Sequence, residues 1–325
     1  MKFKKKTNYL LAALIVLMAA MVFYLNRPKD DNLLLRVDLL TIDSAAVDRI
    51  QIIRPKSDKK DLDLYKRPEG WMLALENDQW GTVDQETLNK SFYQLQYNFT
   101  PIRLAAEDST LWQKYGVAPD STVILKVYEN QELTYELLIG DFSFQDESFV
   151  NTYVRKPDDE RIFAVKAYFQ GTLGSTEDDW RSNHVISVFF NDLDSMFFDD
   201  GKDTYFVKSD KDLQKWTIGE NKVPENMLQR FLREEMAEIK LHRYANPELK
   251  VPDRKPNRQI KVYKREVEPI TINMYRYDEV QWMVNSSENP GNYFLTTEER
   301  LDRLFPKRIL AYKYSSTGAA VYQER

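Results

Sequence analysis

The stretch "ELLIGDFSFQDESFVNTYVRKPDDERIFAV" (Glu136 to Val165) decides the fold. It carries a glycine, a cluster of acids and several aromatics, so it reads either as a ligand or metal loop or as strands with their connection. A later stretch, "ITINMYRYDEVQWMVNSSENPGNYFL" (Ile270 to Leu295), keeps the same hydrophobic rhythm. It lacks the Gly140-Asp141 and Asp146-Glu147 pairs. The strand pattern persists between the two copies while the acids change. Turns favour glycine and acids without any ligand, so strands and turns are the better reading.

Working outward, the whole series repeats. "LKVY" (Leu125 to Tyr128) returns as "IKVY" (Ile260 to Tyr263). Upstream of the first, Ile50 and Ile52, then Leu62 and Leu64, alternate as strands do, and Trp71 follows in another strand. "DLDSMFFDDGKDTYFVKSDKDLQKWTI" (Asp192 to Ile218) repeats that order with Trp216 in the role of Trp71. Each copy then has an amphipathic helix. In "TVDQETLNKSFYQLQY" the apolar face is Val83, Leu88, Phe92 and Leu95. In "VPENMLQRFLREEMAEI" it is Leu228, Phe231, Leu232 and Ile239, with Pro224 suited to the first turn. "DSTLWQKYG" predicts a short helix capped by Asp108 and stopped by Gly116, and Thr296 with Glu299 forms a capping-box pattern at a last helix. "KYGVAPD" (Lys114 to Asp120) has no counterpart in the second copy.

The N-terminus is of another kind. Lys2, Lys4, Lys5 and Lys6 precede an uncharged run of 17 residues from Tyr9 to Leu25. As a helix it measures roughly 25 Å, near the lower limit for a ~30 Å hydrocarbon core. Tyr9, Phe23 and Tyr24 sit where an aromatic belt would lie, and the lysines predict an N-terminus in the cytoplasm with the bulk of the chain outside it. A cleaved signal peptide is the competing reading, but the run ends in Phe-Tyr-Leu rather than a small-x-small site. The expected class is therefore α+β: an N-terminal transmembrane helix followed by two related β-rich units, each with one main amphipathic helix. The boundaries are a basic N-terminus over 1–8, the anchor over 9–25, a linker over 26–36, units over 37–187 and 188–313, and a loosely ordered tail over 314–325.

Composition narrows the function. The chain has 325 residues, 42% of them hydrophobic and 13% aromatic, which is globular rather than disordered. There is no cysteine, so lipidated-cysteine anchors, disulfides and thiolate metal sites are excluded. The net charge is −5 despite the N-terminal lysines, so the remainder is acidic and a poor nucleic-acid partner. One local exception, "KVPDRKPNRQIKVYKR" (Lys250 to Arg265), has seven basic residues against one acid. It reads as a solvated connection entering a strand, with an anionic lipid or acidic partner as the alternative.

Catalytic motifs are absent. His184 and His242 are far apart in sequence and neither belongs to a spaced metal motif. No Gly-rich phosphate loop or G-x-S-x-G elbow occurs, and no cofactor is expected. "NDLDSMFFDDGKD" fails the calcium-loop spacing, because the fifth position counted from Asp192 is Met196, and "DDGKD" is a hairpin turn signal. Of the six tryptophans, Trp80 in "NDQWGT" is the best candidate for an exposed ligand contact.

The motifs together resemble a bacterial family called "domain of unknown function 4340". They are "VDRIQI" with the later "GWML", "KYGVAPDSTVILKVY", "LLIGD", "TYVR", and Trp180-Arg181 leading into the second copy. The resemblance covers roughly residues 37 to 313 and supplies no catalytic residues. It implies an envelope protein of the inner membrane that accompanies ABC-type transport systems of the gliding-motility kind. The expected role is a non-catalytic, extracytoplasmic accessory or scaffold subunit. Its expected partners are the bilayer and a permease with its ATPase. A carbohydrate- or peptidoglycan-binding module around Trp80, or a hydrolase, are the alternatives.

Overall fold

A computed structural model describes residues 39–310 apart from 56, 147–148, 170–172, 174, 211–214, 220–224, 247–252 and 266, together with 18, 21, 37, 312–314 and 320–322. The basic N-terminus, the expected anchor (save Met18 and Met21) and the linker lie outside the described residues. Among the described residues no helix is long and apolar enough to cross a membrane. The fold is α+β and mostly strands: among the described residues two large antiparallel sheets and two small two-stranded ribbons, with few helices.

The first sheet uses β1 (Val47–Ile53), β2 (Leu62–Arg67), β3 (Gly70–Ala74) and β4 (Trp80–Thr82), then, after helix α1 (Gln85–Tyr97), β5 (Pro101–Ala106). It is completed by β6 (Val123–Glu129), β7 (Glu132–Asp146), β8 (Phe149–Arg155) and β9 (Ile162–Val165). Their spatial order is β4-β3-β2-β1-β6-β7-β8-β9-β5. The period-2 alternation read in the sequence sets the faces: Ile50, Ile52, Leu62, Leu64, Leu125 and Val127 all enter one core. Helix α1 closes that core with Leu88 and Leu95, and Phe92 packs partly buried against it. Its N-cap is Asp84, whose Oδ1 accepts from the Thr87 amide at 2.8 Å. Asp84→Ala is expected to remove about 1 kcal/mol, read as a melting temperature lower by roughly 2–4 °C.

A short helix α2 (Glu177–Trp180) leads to the second sheet. Its strands are β11 (Leu193–Asp199), β12 (Thr204–Asp210), β13 (Lys215–Ile218), β15 (Arg258–Lys264), β16 (Val267–Arg276), β17 (Gln281–Ser286) and β18 (Asn289–Thr297), ordered β13-β12-β11-β15-β16-β17-β18. That is the order β3-β2-β1-β6-β7-β8-β9 stepped along the chain. Segment 243–245 bonds to β18 (Leu295 N to Arg243 O, 2.8 Å; Ala245 N to Tyr293 O, 2.7 Å), as β5 bonds to β9. A small ribbon of β10 (His184–Ser187) and β14 (Glu238–Lys240) stands beside it.

Helix α3 (Glu225–Phe231) covers the second core and continues as a π-helical turn over Leu232–Met236. The wider turn keeps Leu232 and Met236 buried beside Leu228 and Phe231. Arg258, from the basic stretch, is half-buried on β15. Its guanidinium lies over Trp282 and bonds Glu298 and Asp302 at the start and end of α4 (Glu298–Asp302).

Local readings differ from the structure in three places. Thr296 is a buried strand residue paired with Trp282, and α4 is N-capped by Thr297 without a side-chain bond, so Thr296 and Glu299 form no capping box. The capping box lies at α2, where Asp179 Oδ2 accepts from the Thr176 amide at 2.7 Å. The segment led by Asp108 is a single 3₁₀ turn over Ser109–Leu111, its cap bond reaching the Thr110 amide. In the region expected to be a loose tail, Tyr314 pairs with Ala320 in a two-stranded ribbon.

Candidate functional site

The two sheets meet where β4 ends and the β17–β18 hairpin turns. The Arg181–Ser182 segment lies between them: Arg181 bridges Val83, and the Ser182 amide donates to Thr82 O at 2.8 Å. Side-chain amides complete the junction. Asn292, fully buried, donates to Thr82 O (2.9 Å) and to Asn289 Oδ1 (2.7 Å), and its Oδ1 accepts from Arg181 Nε (2.8 Å). Asn289 Nδ2 donates to Ser182 O and His184 O at 2.8 and 2.6 Å. The Thr82 hydroxyl donates to Pro290 O at 2.7 Å. Gly291 lets the hairpin approach this closely: its φ is +82°, and a Cβ there would stand 1.8 Å from Trp80 O.

Arg181 is the charged centre of the junction. Only 6% exposed, it lies with its guanidinium carbon 3.9 Å from the centre of the Tyr244 ring, and Tyr244 donates its hydroxyl to Arg181 O at 2.8 Å. Burial pushes the arginine below its ordinary pKa and pushes the tyrosine well above its own. Over this pair opens a polar cleft of ≈ 400 Å³, walled by Asp84, Asp178, Asp179, His184, Lys240 and His242 among others. The fold therefore brings together the two histidines that the sequence keeps apart. His242 Nδ1 lies 3.1 Å from Asn183 Nδ2, which makes Nδ1 the acceptor, and His184 Nδ1 lies 3.6 Å from Glu238.

The carboxylates of this cleft are already engaged. Asp84 caps α1, Asp179 caps α2, Asp178 bonds Arg181 at 3.3 Å, and Glu86 bonds Lys90 at 2.6 Å. Among the described residues no three His, Cys, Asp or Glu side chains converge as a metal ion requires. The Thr176 amide and hydroxyl hold Asp179 below the usual carboxylate range. A depressed folded-state pKa supplies stability above the unfolded value and loses it as pH falls through the folded one. Asp179→Asn is thus expected to flatten the acid limb of melting temperature against pH, and an unchanged limb would count against that role.

The other singled-out residues lie elsewhere. Trp80 is half-buried at the sheet edge, with the Arg67 guanidinium 3.5 Å from its ring centre and Tyr65 edge-on at 5.3 Å. The row continues through Arg49, which stacks between Tyr65 and Tyr128 and makes a bidentate pair with Asp63. Gly140 and Asp141 form a packing contact. The Asp141 amide donates to Tyr115 O at 3.0 Å across a bulge in β7, and a Cβ on Gly140 would meet that oxygen at 2.2 Å. In "DDGKD" Asp200 Oδ1 accepts from the amides of Lys202 and Asp203, closing a hairpin.

Sequence reasoning missed the junction amides. The one available signal was the pair Asn289 and Asn292 around Pro290-Gly291. Comparison with known proteins adds one finding: a family profile described as "Domain of unknown function (DUF4340)" matches residues 94–261. No curated protein and no solved structure matches the chain.

Proposed function

The chain belongs to the DUF4340 family, and from that premise we propose that it is a non-catalytic accessory or scaffold subunit of an envelope complex, anchored by one N-terminal helix. In this reading the two sheets are one unit repeated, held outside the cytoplasmic membrane, and the partners are an ABC-type permease and its ATPase. The observation that carries the reading is where the polar groups are spent. The buried amides and Arg181 tie one sheet to the other, and the carboxylates of the cleft cap helices or bind neighbours. A rigid two-part frame suits a subunit that positions other proteins. The lysine-flanked apolar run over 9–25 supports the anchor.

Affinity purification of the full chain in mild detergent, with mass spectrometry of what accompanies it, tests the proposal. Stoichiometric permease and ATPase subunits are the expected result. Recovery of the protein alone, under conditions that keep other membrane complexes intact, would refute it and turn attention to glycan binding.

A further inference from the structure

Five exposed apolar side chains of the first unit gather at one edge. On the outer face of α1, Tyr93 and Tyr97 are 63% and 57% exposed and their ring centres are 4.8 Å apart. Two residues beyond Tyr97, Phe99 stacks on Phe169 at 4.4 Å, which places the end of α1 beside Tyr168. Tyr168, 47% exposed, is edge-on to Phe142, and Phe142 to Phe144, which is 70% exposed. Ile102 on the edge strand β5 adds to the same rim. In the strand order β8, β9 and β5 lie at the opposite end from β4, the strand that meets the second sheet.

We propose that this aromatic edge rests on the bilayer surface, with the lipid headgroup and upper acyl region as its occupant. The inference rests on the membrane-anchored reading above. Residues 26–36 separate the apolar run from Val37, so even fully extended they hold the folded part within roughly 40 Å of the membrane. The residue types fit that depth: tyrosine and phenylalanine present apolar rings, and the tyrosine hydroxyl can stay in the wet headgroup layer. Arg103 beside Ile102 and Lys166 beside the Tyr168 turn are exposed basic residues, while Lys90 on the α1 face is exposed but paired with Glu86. Seating this edge on the bilayer leaves the second sheet and the polar cleft free for protein partners.

The chain has no cysteine, so single-cysteine variants of the full protein carry one spin label each without background. The probe is a nanodisc of phosphatidylethanolamine and phosphatidylglycerol, with collision rates measured for oxygen and for a water-soluble nickel chelate. Labels in Tyr97→Cys and Phe144→Cys are expected to show an oxygen-to-nickel ratio several-fold above that of Phe206→Cys on the second sheet. A label in Val16→Cys should report the lipid core. Water-like ratios at 97 and 144, with 16 in lipid, would overturn the inference and leave the anchor standing. A water-like ratio at 16 would overturn both. Labels at 97 and 144 that are aqueous in nanodiscs but occluded in native membranes would reassign the edge to a protein partner and so overturn lipid docking.

Discussion

Gly291→Ala is expected to unlatch the two sheets. The added methyl would stand 1.8 Å from Trp80 O, which belongs to the backbone of β4 and has no rotamer by which to withdraw. The hairpin must retreat, and with it go the Thr82–Pro290 and Asn292–Thr82 bonds. The left-handed backbone adds about 1–2 kcal/mol for any residue with a Cβ. A useful comparison is Gly70→Ala, at φ +122°, where a Cβ meets nothing within 4 Å. Both variants share the backbone strain; only Gly291→Ala has the collision. A local loss of about 3 kcal/mol would speed amide exchange roughly a hundredfold. That acceleration is expected at the Asp84 and Ser182 amides, which bond Trp180 O and Thr82 O on the first-sheet side of the junction, where the hairpin rests. Equal exchange there in both variants would mean that the junction does not depend on this close approach.

The second large effect is expected at Arg155. This side chain, 1% exposed, meets carbonyls rather than a carboxylate. Nη1 donates to Lys156 O, Pro157 O and Asp159 O at 3.0, 2.9 and 3.2 Å, and the guanidinium also bonds Val117 O. The guanidinium carbon lies 3.7 Å from the centre of the Trp112 ring. Burial lowers the pKa of Arg155 from its usual value, with Asp159 opposing. Removing the group would strand several carbonyls at once, and each buried acceptor without a donor costs about 1–3 kcal/mol. Arg155→Ala is therefore expected to cost about 4 kcal/mol, or on the order of 10 °C in melting temperature. Arg155→Lys should recover only part of this, because an ammonium cannot fork to carbonyls on two loops or stack on indole in the same way. Full recovery with lysine would show that charge alone matters here.

These two sites mark the limit of what could be read from the residues. Alternation exposed β1 and β2 through Ile50, Ile52, Leu62 and Leu64, and the 3.6-residue spacing exposed α1 through Leu88 and Leu95, because local periodicity records which face is buried. The duplicated strand order was legible for the same reason. Asn289 and Asn292 are different: their partners, Ser182 and Thr82, lie about 107 and 210 positions away in sequence, and no local pattern encodes such a contact. The cleft was hidden likewise, since His184 and His242 meet only after β10 and β14 pair. The Thr296 capping pattern misled because the strand persists one residue further, to Thr297.

The strand order also bears on how the protein can be cut into pieces. The family profile spans 94–261, yet those limits fall inside α1 and inside β15. A fragment with those ends would lack β1 to β4 and β16 to β18, so β6 would lose its neighbour β1 and β15 its neighbour β16. Unpaired inner strands beside a bared apolar core are a template for aggregation. Sequence relatedness here stops short of a folding boundary, and the smallest piece that can be expected to stand alone runs from Leu39, at the start of the first core, past α4 to Phe305, the last residue buried in the second.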